Sequence, residues 1–291
     1  MRSSSSVLVT GSSGRLGREL VFLLRARGYS VVGVDVVAGP TTDQLLDIRD
    51  GGAVLAATRG VGAILHTAAL HGKHYDLHYP RLDFVRTNVE GTLHLLNACV
   101  THGISKFLYT STTSIYGQAM VHPDQAVWVD EDLVPQPRDI YDITKQAAEA
   151  LCRDFFEKEG VQATVLRVSR FLPEPDNLAL NHRLYRGLDE RDGALGLVLA
   201  LEHDLATFEV FNISAGSPFE RDDLVQLKRD PAAAIHRRMP EAAAVYAQRG
   251  WALPTSIDRV YSIEKARRVL GYQPRYTAQA LLQQATHSLK Q

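Results

Sequence analysis

The sequence predicts an α/β protein: a doubly wound parallel sheet with a small, mostly helical second lobe. Three observations carry that expectation. Short β-branched runs alternate with longer helical patterns up to about residue 170. The strands are continuous apolar runs, as expected where helices cover both faces of a parallel sheet. Beyond residue 170, Pro173, Pro175, Pro218, Pro231, Pro240 and Pro254 cut the chain into shorter pieces.

The elements follow in order. SVLVT at 6–10 reads as a buried strand. Leu16, Leu20, Leu23 and Leu24 recur at helical spacing over 15–28, and Gly28 stops that helix. Strands follow at 30–34 and 63–66, a long helix at 84–103, a strand at 107–110, a helix at 141–160 and a strand at 163–168. FEVFNI at 208–213 reads as a late strand rejoining the sheet. The nucleotide-binding domain is expected over 1–170, with 206–213 and part of the C-terminal region returning to it. Residues 171–205 and 214–291 form the lobe, and the ligand cleft is expected between that lobe and the carboxyl ends of the strands.

Composition narrows the function classes. The net charge of −1 offers no basic field for nucleic acid. No stretch approaches the roughly 18 apolar residues of a membrane helix, and glycines interrupt the N-terminus where a signal peptide needs its apolar run. Cys99 and Cys152 lie in apolar helical contexts and read as core residues rather than a disulfide. The expected compartment is the cytoplasm. The four serines at 3–6 read as a frayed terminus.

VLVTGSSGRLG places Gly11, Gly14 and Gly17 directly after the first strand and at the start of a helix. Such glycines permit a tight turn, close approach of the backbone to a pyrophosphate, and close helix–strand packing. The helix start offers free N–H groups to the phosphates. The pattern predicts a Rossmann-type dinucleotide site rather than a merely structural glycine turn, with Ser13, Arg15 and Leu16 in the same loop. Asp35 closes the second strand, about 20 residues on, where a carboxylate accepts both ribose hydroxyls. Val36, Val37 and Ala38 follow it with no basic residue, which favours NAD over NADP; Arg15 argues the other way. Asp47 and Ile48 form a later pair: Asp47 reads either as a contact to the adenine amine or as part of a helix cap, and Ile48 as a contact to the adenine ring.

TGSSGRLG, Asp35, DIRD, HTAAL at 66–70, NVEGT at 88–92, TSTTSIYG at 110–117 and YDITK at 141–145 come in a fixed order. In that order and spacing the chain resembles the extended short-chain dehydrogenase/reductases, the family of nucleotide-sugar epimerases and dehydratases. The resemblance covers nearly the whole chain and is looser after residue 170. It implies Tyr141 as catalytic acid/base, Lys145 as its partner and a holder of the nicotinamide ribose, and Thr112 as the catalytic hydroxyl with Ser111 beside it. It also implies Asn88 as a mainly structural residue near the cofactor, Ala68 along the cofactor, and NAD as the cofactor. His66 reads as a packed residue at a strand end. The physical demand on Tyr141 is plain: a phenol titrates near pH ~10, so neutral-pH proton exchange needs about 4 kcal/mol of phenolate stabilisation.

The family's dehydratases resemble S-T-D-E-x-Y-G at the hydroxyl motif. Thr113 and Ser114 replace both carboxylates, so no dehydration is expected; a 4-keto-6-deoxy product from a nucleotide hexose would refute this. The leading expectation is an NAD-dependent epimerase acting on a sugar or nucleotide sugar by transient oxidation. The alternative is a net dehydrogenase or reductase on a sugar, uronate or related alcohol. VSRFLPEPDN at 168–177 is similar to the uronate dehydrogenase branch, whereas SIEKARRVLGYQPRYT at 262–277 is similar to the epimerase tail. A non-catalytic nucleotide sensor fits poorly with an intact Thr/Tyr/Lys set. Substrate contacts are expected from His71, Thr112, Thr113, Arg170, Asn177, Arg183 and Arg186, the arginines suiting a diphosphate or a carboxylate. His71, His74 and His78 have a ligand-like spacing but little acidic company, and no metal is expected. The family commonly pairs two long helices into a homodimer, here 82–103 and 141–159.

Overall fold

A computed structural model describes residues 6–287 of the 291-residue chain. It contains a seven-stranded sheet in the order β3-β2-β1-β4-β5-β7-β8 and a two-stranded sheet of β6 and β9. The strands are β1 (Ser6–Thr10), β2 (Val31–Asp35), β3 (Gln44–Leu45), β4 (Val61–His66), β5 (Lys106–Thr112), β6 (Val127–Val129), β7 (Gln162–Val168), β8 (Glu209–Ile213) and β9 (Arg259–Tyr261). The β3-β2-β1-β4-β5 pairings are all parallel, with Val9 beside Gly33 on one side and Leu65 on the other. Strand order reverses beside β1, which is where such sheets bind nucleotides.

Two compact units make up the chain. The first comprises residues up to Ile115, Pro137–Arg167 and Ala194–Phe211; the second comprises Tyr116–Gln136, Val168–Gly193 and the chain from Asn212 on. Two segments therefore lie elsewhere than the domain reading placed them. Residues 116–136 belong to the second unit, because β6 in that segment pairs with β9. Most of helix Glu190–Glu202 belongs to the first.

The core of the first unit gathers Leu8, Val34, Ile64, Leu95, Leu96, Phe107, Cys152 and Val165, all buried. Each fully buried side chain of this kind contributes about 2 kcal/mol. Both cysteines are free and buried. A separate core in the second unit joins Leu180, Leu184, Leu227, Ile235, Ile257 and Leu282. Among the described residues no helix is long and apolar enough to cross a membrane, and no cluster of acidic, histidine or cysteine residues suits a metal.

The continuous helix expected over 84–103 is interrupted. A short helix at Arg81–Phe84 passes into a π-helical turn at Val85–Glu90 before the regular helix Gly91–His102. The wider turn carries Asn88, whose Oδ1 accepts from the Leu70 N–H at 2.9 Å. Its Nδ2 donates to the Leu70 carbonyl and to Thr144 Oγ1. One amide thus ties the segment after β4 to the helix Ile140–Glu159. That helix starts cleanly because Asp139 caps it, accepting from the Asp142 N–H at 3.0 Å. It stops at Gly160, whose φ of 72° is the left-handed conformation glycine adopts at no steric cost.

Candidate active site

The glycine loop is closed against its surroundings so tightly that side chains are excluded. A Cβ on Gly11 would lie 2.7 Å from the Ala68 nitrogen, and one on Gly17 would lie 2.0 Å from the Gly11 carbonyl oxygen. Gly11 also has φ of 71°. Gly14 caps helix Arg15–Ala26 with no side-chain hydrogen bond, which leaves its first N–H groups to a ligand. Arg15 and Leu16 open that helix, and Leu16 is buried. Asp35 sits at the end of β2; its Oδ2 accepts from the Ser13 N–H and its Oδ1 from the Val37 N–H, each at 3.0 Å. Each oxygen keeps a second lone pair for a ribose hydroxyl. The Ser13 hydroxyl is engaged with Val37 O and Thr42 Oγ1. Bare backbone, an open helix start and a fixed carboxylate together fit a dinucleotide.

The adenine pair fares differently. Asp47 is bridged on both oxygens by Arg49, at 2.6–3.0 Å, and its pKa falls as a result. The Ile48 side chain is in the core, where a Cβ on Gly91 would lie 2.7 Å from its Cδ1.

At the end of β5, Thr112 stands beside the Tyr141 phenol, close enough for its hydroxyl to favour the ionised form. Thr112 also accepts from the Ser114 N–H at 3.1 Å. Burial raises the Tyr141 pKa to about 12; Thr112 opposes this, and the carboxylates of Asp142 and Asp139 add to it. The contacts of Lys145 differ from those expected of an ammonium easing Tyr141's ionisation. Its Nζ donates to the Thr110 carbonyl at 2.5 Å and stands 4.3 Å from the Tyr109 ring centroid. Burial lowers its pKa to about 7, against the pull of Glu149. His66, at the end of β4, lies between Thr10 Oγ1 (2.7 Å) and Thr92 Oγ1 (3.1 Å). Burial, helped by Lys145, lowers its pKa to about 3, so it is a neutral packed imidazole.

Ser111 turns away from this group: its hydroxyl donates to Glu149 Oε1, which also takes Arg167. Thr113 is buried, and His71 is exposed in the segment after β4, where its N–H donates to His74 Nδ1. The remaining expected substrate contacts lie in the second unit, and each has a partner. Arg170 bonds Glu174 at 2.7 Å, Asn177 bonds Ala252 O at 3.0 Å, Arg183 bonds Asp189 at 3.2 Å, and Arg186 donates to His182 Nε2 at 2.7 Å. The buried Glu149–Arg167 pair was not anticipated, although an arginine within the apolar run ATVLRV was a usable signal.

A family model described as the NAD dependent epimerase/dehydratase family matches residues 7–182. The chain belongs to that family. It is an NAD-dependent enzyme of the extended short-chain dehydrogenase/reductase type. A 3-beta-hydroxysteroid dehydrogenase of Mycolicibacterium neoaurum is 27% identical over 94% of this chain and 88% of its own length. UDP-glucose 4-epimerase 4 of Oryza sativa subsp. japonica is 30% identical over 56% of this chain and 48% of its own. A solved short-chain dehydrogenase/reductase superfamily protein from Agrobacterium tumefaciens, with bound NAD, has the same fold. Its TM-score is 0.73 at 24% identity, covering 98% of this chain and 97% of that one.

Proposed function

We propose that the enzyme is a net NAD-dependent dehydrogenase, oxidising a ring-borne secondary alcohol such as a sugar, a uronate or a related alcohol. The nearness of Thr112 to the Tyr141 phenol, which favours the phenolate, carries this reading. Thr112 holds the alcohol oxygen, and Tyr141 accepts its proton as the carbon gives up hydride. Bound NAD supplies the hydride acceptor and a positive ring that favours the phenolate. Gly11, Gly14, Gly17 and Asp35 would hold the dinucleotide, and Lys145 would donate to its ribose hydroxyls. Net oxidation is preferred to epimerisation for two reasons. A relative aligned along nearly the full chain is a dehydrogenase. The arginines suited to a nucleotide diphosphate are already bonded to Glu174, Asp189 and His182.

A nucleotide-sugar epimerase is the second reading, favoured by the 30% identity to the rice enzyme. Both use the same first half-reaction. Incubation with NAD and a panel of uronic acids, hydroxysteroids and nucleotide sugars, followed at ~340 nm, separates them. Steady absorbance growth with one substrate is expected. A new substrate isomer without net absorbance would replace the dehydrogenase reading by the epimerase one. The working form is a cytoplasmic homodimer, supported by the exposed Leu82, Val85, Val100 and Ile143 in the helical segments expected to pair.

A further inference from the structure

Three consecutive residues at the end of β5 each hold a different member of one helical stripe. The Thr110 carbonyl takes Lys145, the Ser111 hydroxyl takes Glu149 at 2.5 Å, and Thr112 meets Tyr141. Tyr141, Lys145 and Glu149 are spaced by four and so share a helix face. Glu149 is fixed from β7 by Arg167, whose Nε lies 3.0 Å from Oε1 and Nη2 2.7 Å from Oε2. Ser111, Glu149 and Arg167 are all buried. A buried ion pair is an expensive way to stabilise a fold, and apolar residues of similar volume often do as well. Its placement directly behind the reacting residues calls for another role.

We propose that Glu149 is a positioning residue: anchored by Arg167, it clamps Ser111 so that Thr112 stays opposite Tyr141, and it presents a negative charge to Lys145 one turn away. The groups facing Lys145 are Glu149 and Cys152 on its own helix, His66 on β4 and Tyr109 on β5. Glu149 is the carboxylate among them and favours the ammonium. The catalytic consequence rests on the dehydrogenase reading; the clamp and the charge do not.

The test compares the wild type with Glu149→Gln and Ser111→Ala, each labelled with 13C at the lysine ε-carbon and titrated without NAD. Glu149→Gln is expected to lower the Lys145 midpoint by about one pH unit, while Ser111→Ala, which keeps both charges, leaves it in place. An unchanged midpoint in folded Glu149→Gln overturns the proposal. Ser111→Ala is also expected to speed amide exchange at 111–113 about tenfold and to lower kcat/KM about tenfold. Wild-type exchange in Ser111→Ala overturns the clamp even if Glu149→Gln does not fold. If the wild type oxidises no alcohol, the dehydrogenase reading fails, and the titration and exchange still decide the role of Glu149.

Discussion

The charged segment 170–191 of the second unit and the strand-end cluster of the first are built on opposite plans. In the second unit cations meet carboxylates: Arg170 with Glu174, and Arg183 and Arg191 with Asp189. In the first, Lys145 rests on a carbonyl and a ring, His66 on two hydroxyls, and Tyr141 on Thr112. Burial has moved all three pKa values toward the neutral form. Buried ionisable groups without a direct counter-charge cost stability, so they persist where chemistry needs them. Paired charges, as in 170–191, hold a segment in shape. The difference distinguishes a reacting surface from a structural one more sharply than residue type does, since arginines and histidines occur in both.

The largest expected effect breaks the reacting side. Tyr141→Phe keeps the ring and removes only the proton-accepting oxygen. It should lower kcat/KM by about 10³-fold while NAD affinity stays within about twofold. Steady-state kinetics and calorimetric NAD titration measure the two separately. Activity that survives would assign the proton step to another group. Lys145→Met should abolish turnover and at the same time stabilise the fold. The unfolded chain holds the lysine proton up to the ordinary value of 10.5, whereas the folded chain releases it near 7. Wild-type stability therefore climbs as pH rises from 7 toward 10.5, and the gain from Lys145→Met, on the order of 3 kcal/mol at pH ~7, should shrink by pH ~9.5. Urea unfolding at the two pH values checks the sign.

The structural side breaks in the reverse pattern. Asp189→Asn strips Arg183 and Arg191 of their shared carboxylate. Burial pushes the Asp189 pKa up, but the bonds from Arg191 and the charge of Arg183 hold it below the usual carboxylate range. Loss of that carboxylate should cost about 3 kcal/mol in urea unfolding with NAD affinity unchanged. A variant that lost NAD affinity without losing stability would move this cluster to the reacting class.

The same contrast explains how far the site was legible in the sequence. Gly11, Gly17 and Asp35 could be read because their roles are local: a turn, a close approach and a strand end impose residue types at fixed offsets. Six strands of the large sheet could be read because they are apolar runs, whereas the short β3, β6 and β9 were not read. Lys145 was placed on the right helix, but its contacts, like those of Ser111 and Ile48, were not foreseen. Those contacts are set by residues far along the chain: Glu149 for Ser111, Gly91 for Ile48 and Thr110 for Lys145. The π-helical turn at Val85–Glu90 was invisible for a similar reason, because its amide partners Leu70 and Thr144 lie in other elements.

The smallest effect concerns His66, and its sign follows from linkage. In the unfolded chain the imidazole binds a proton below its ordinary value of 6.5; in the folded chain it stays neutral down to about 3. Between those values the unfolded state holds more protons, so stability rises with pH and is lost as pH falls. From pH ~7.5 to ~5 this one group should cost about 2 kcal/mol. His66→Gln keeps a donor and an acceptor between Thr10 and Thr92 but cannot titrate. Its acid loss over the same interval, measured by urea unfolding, should be smaller than the wild type's by that amount. Equal losses in the two proteins would mean that the imidazole escapes burial through an opening of the β4 end. That would place His66 among groups that move with the site rather than in its fixed floor.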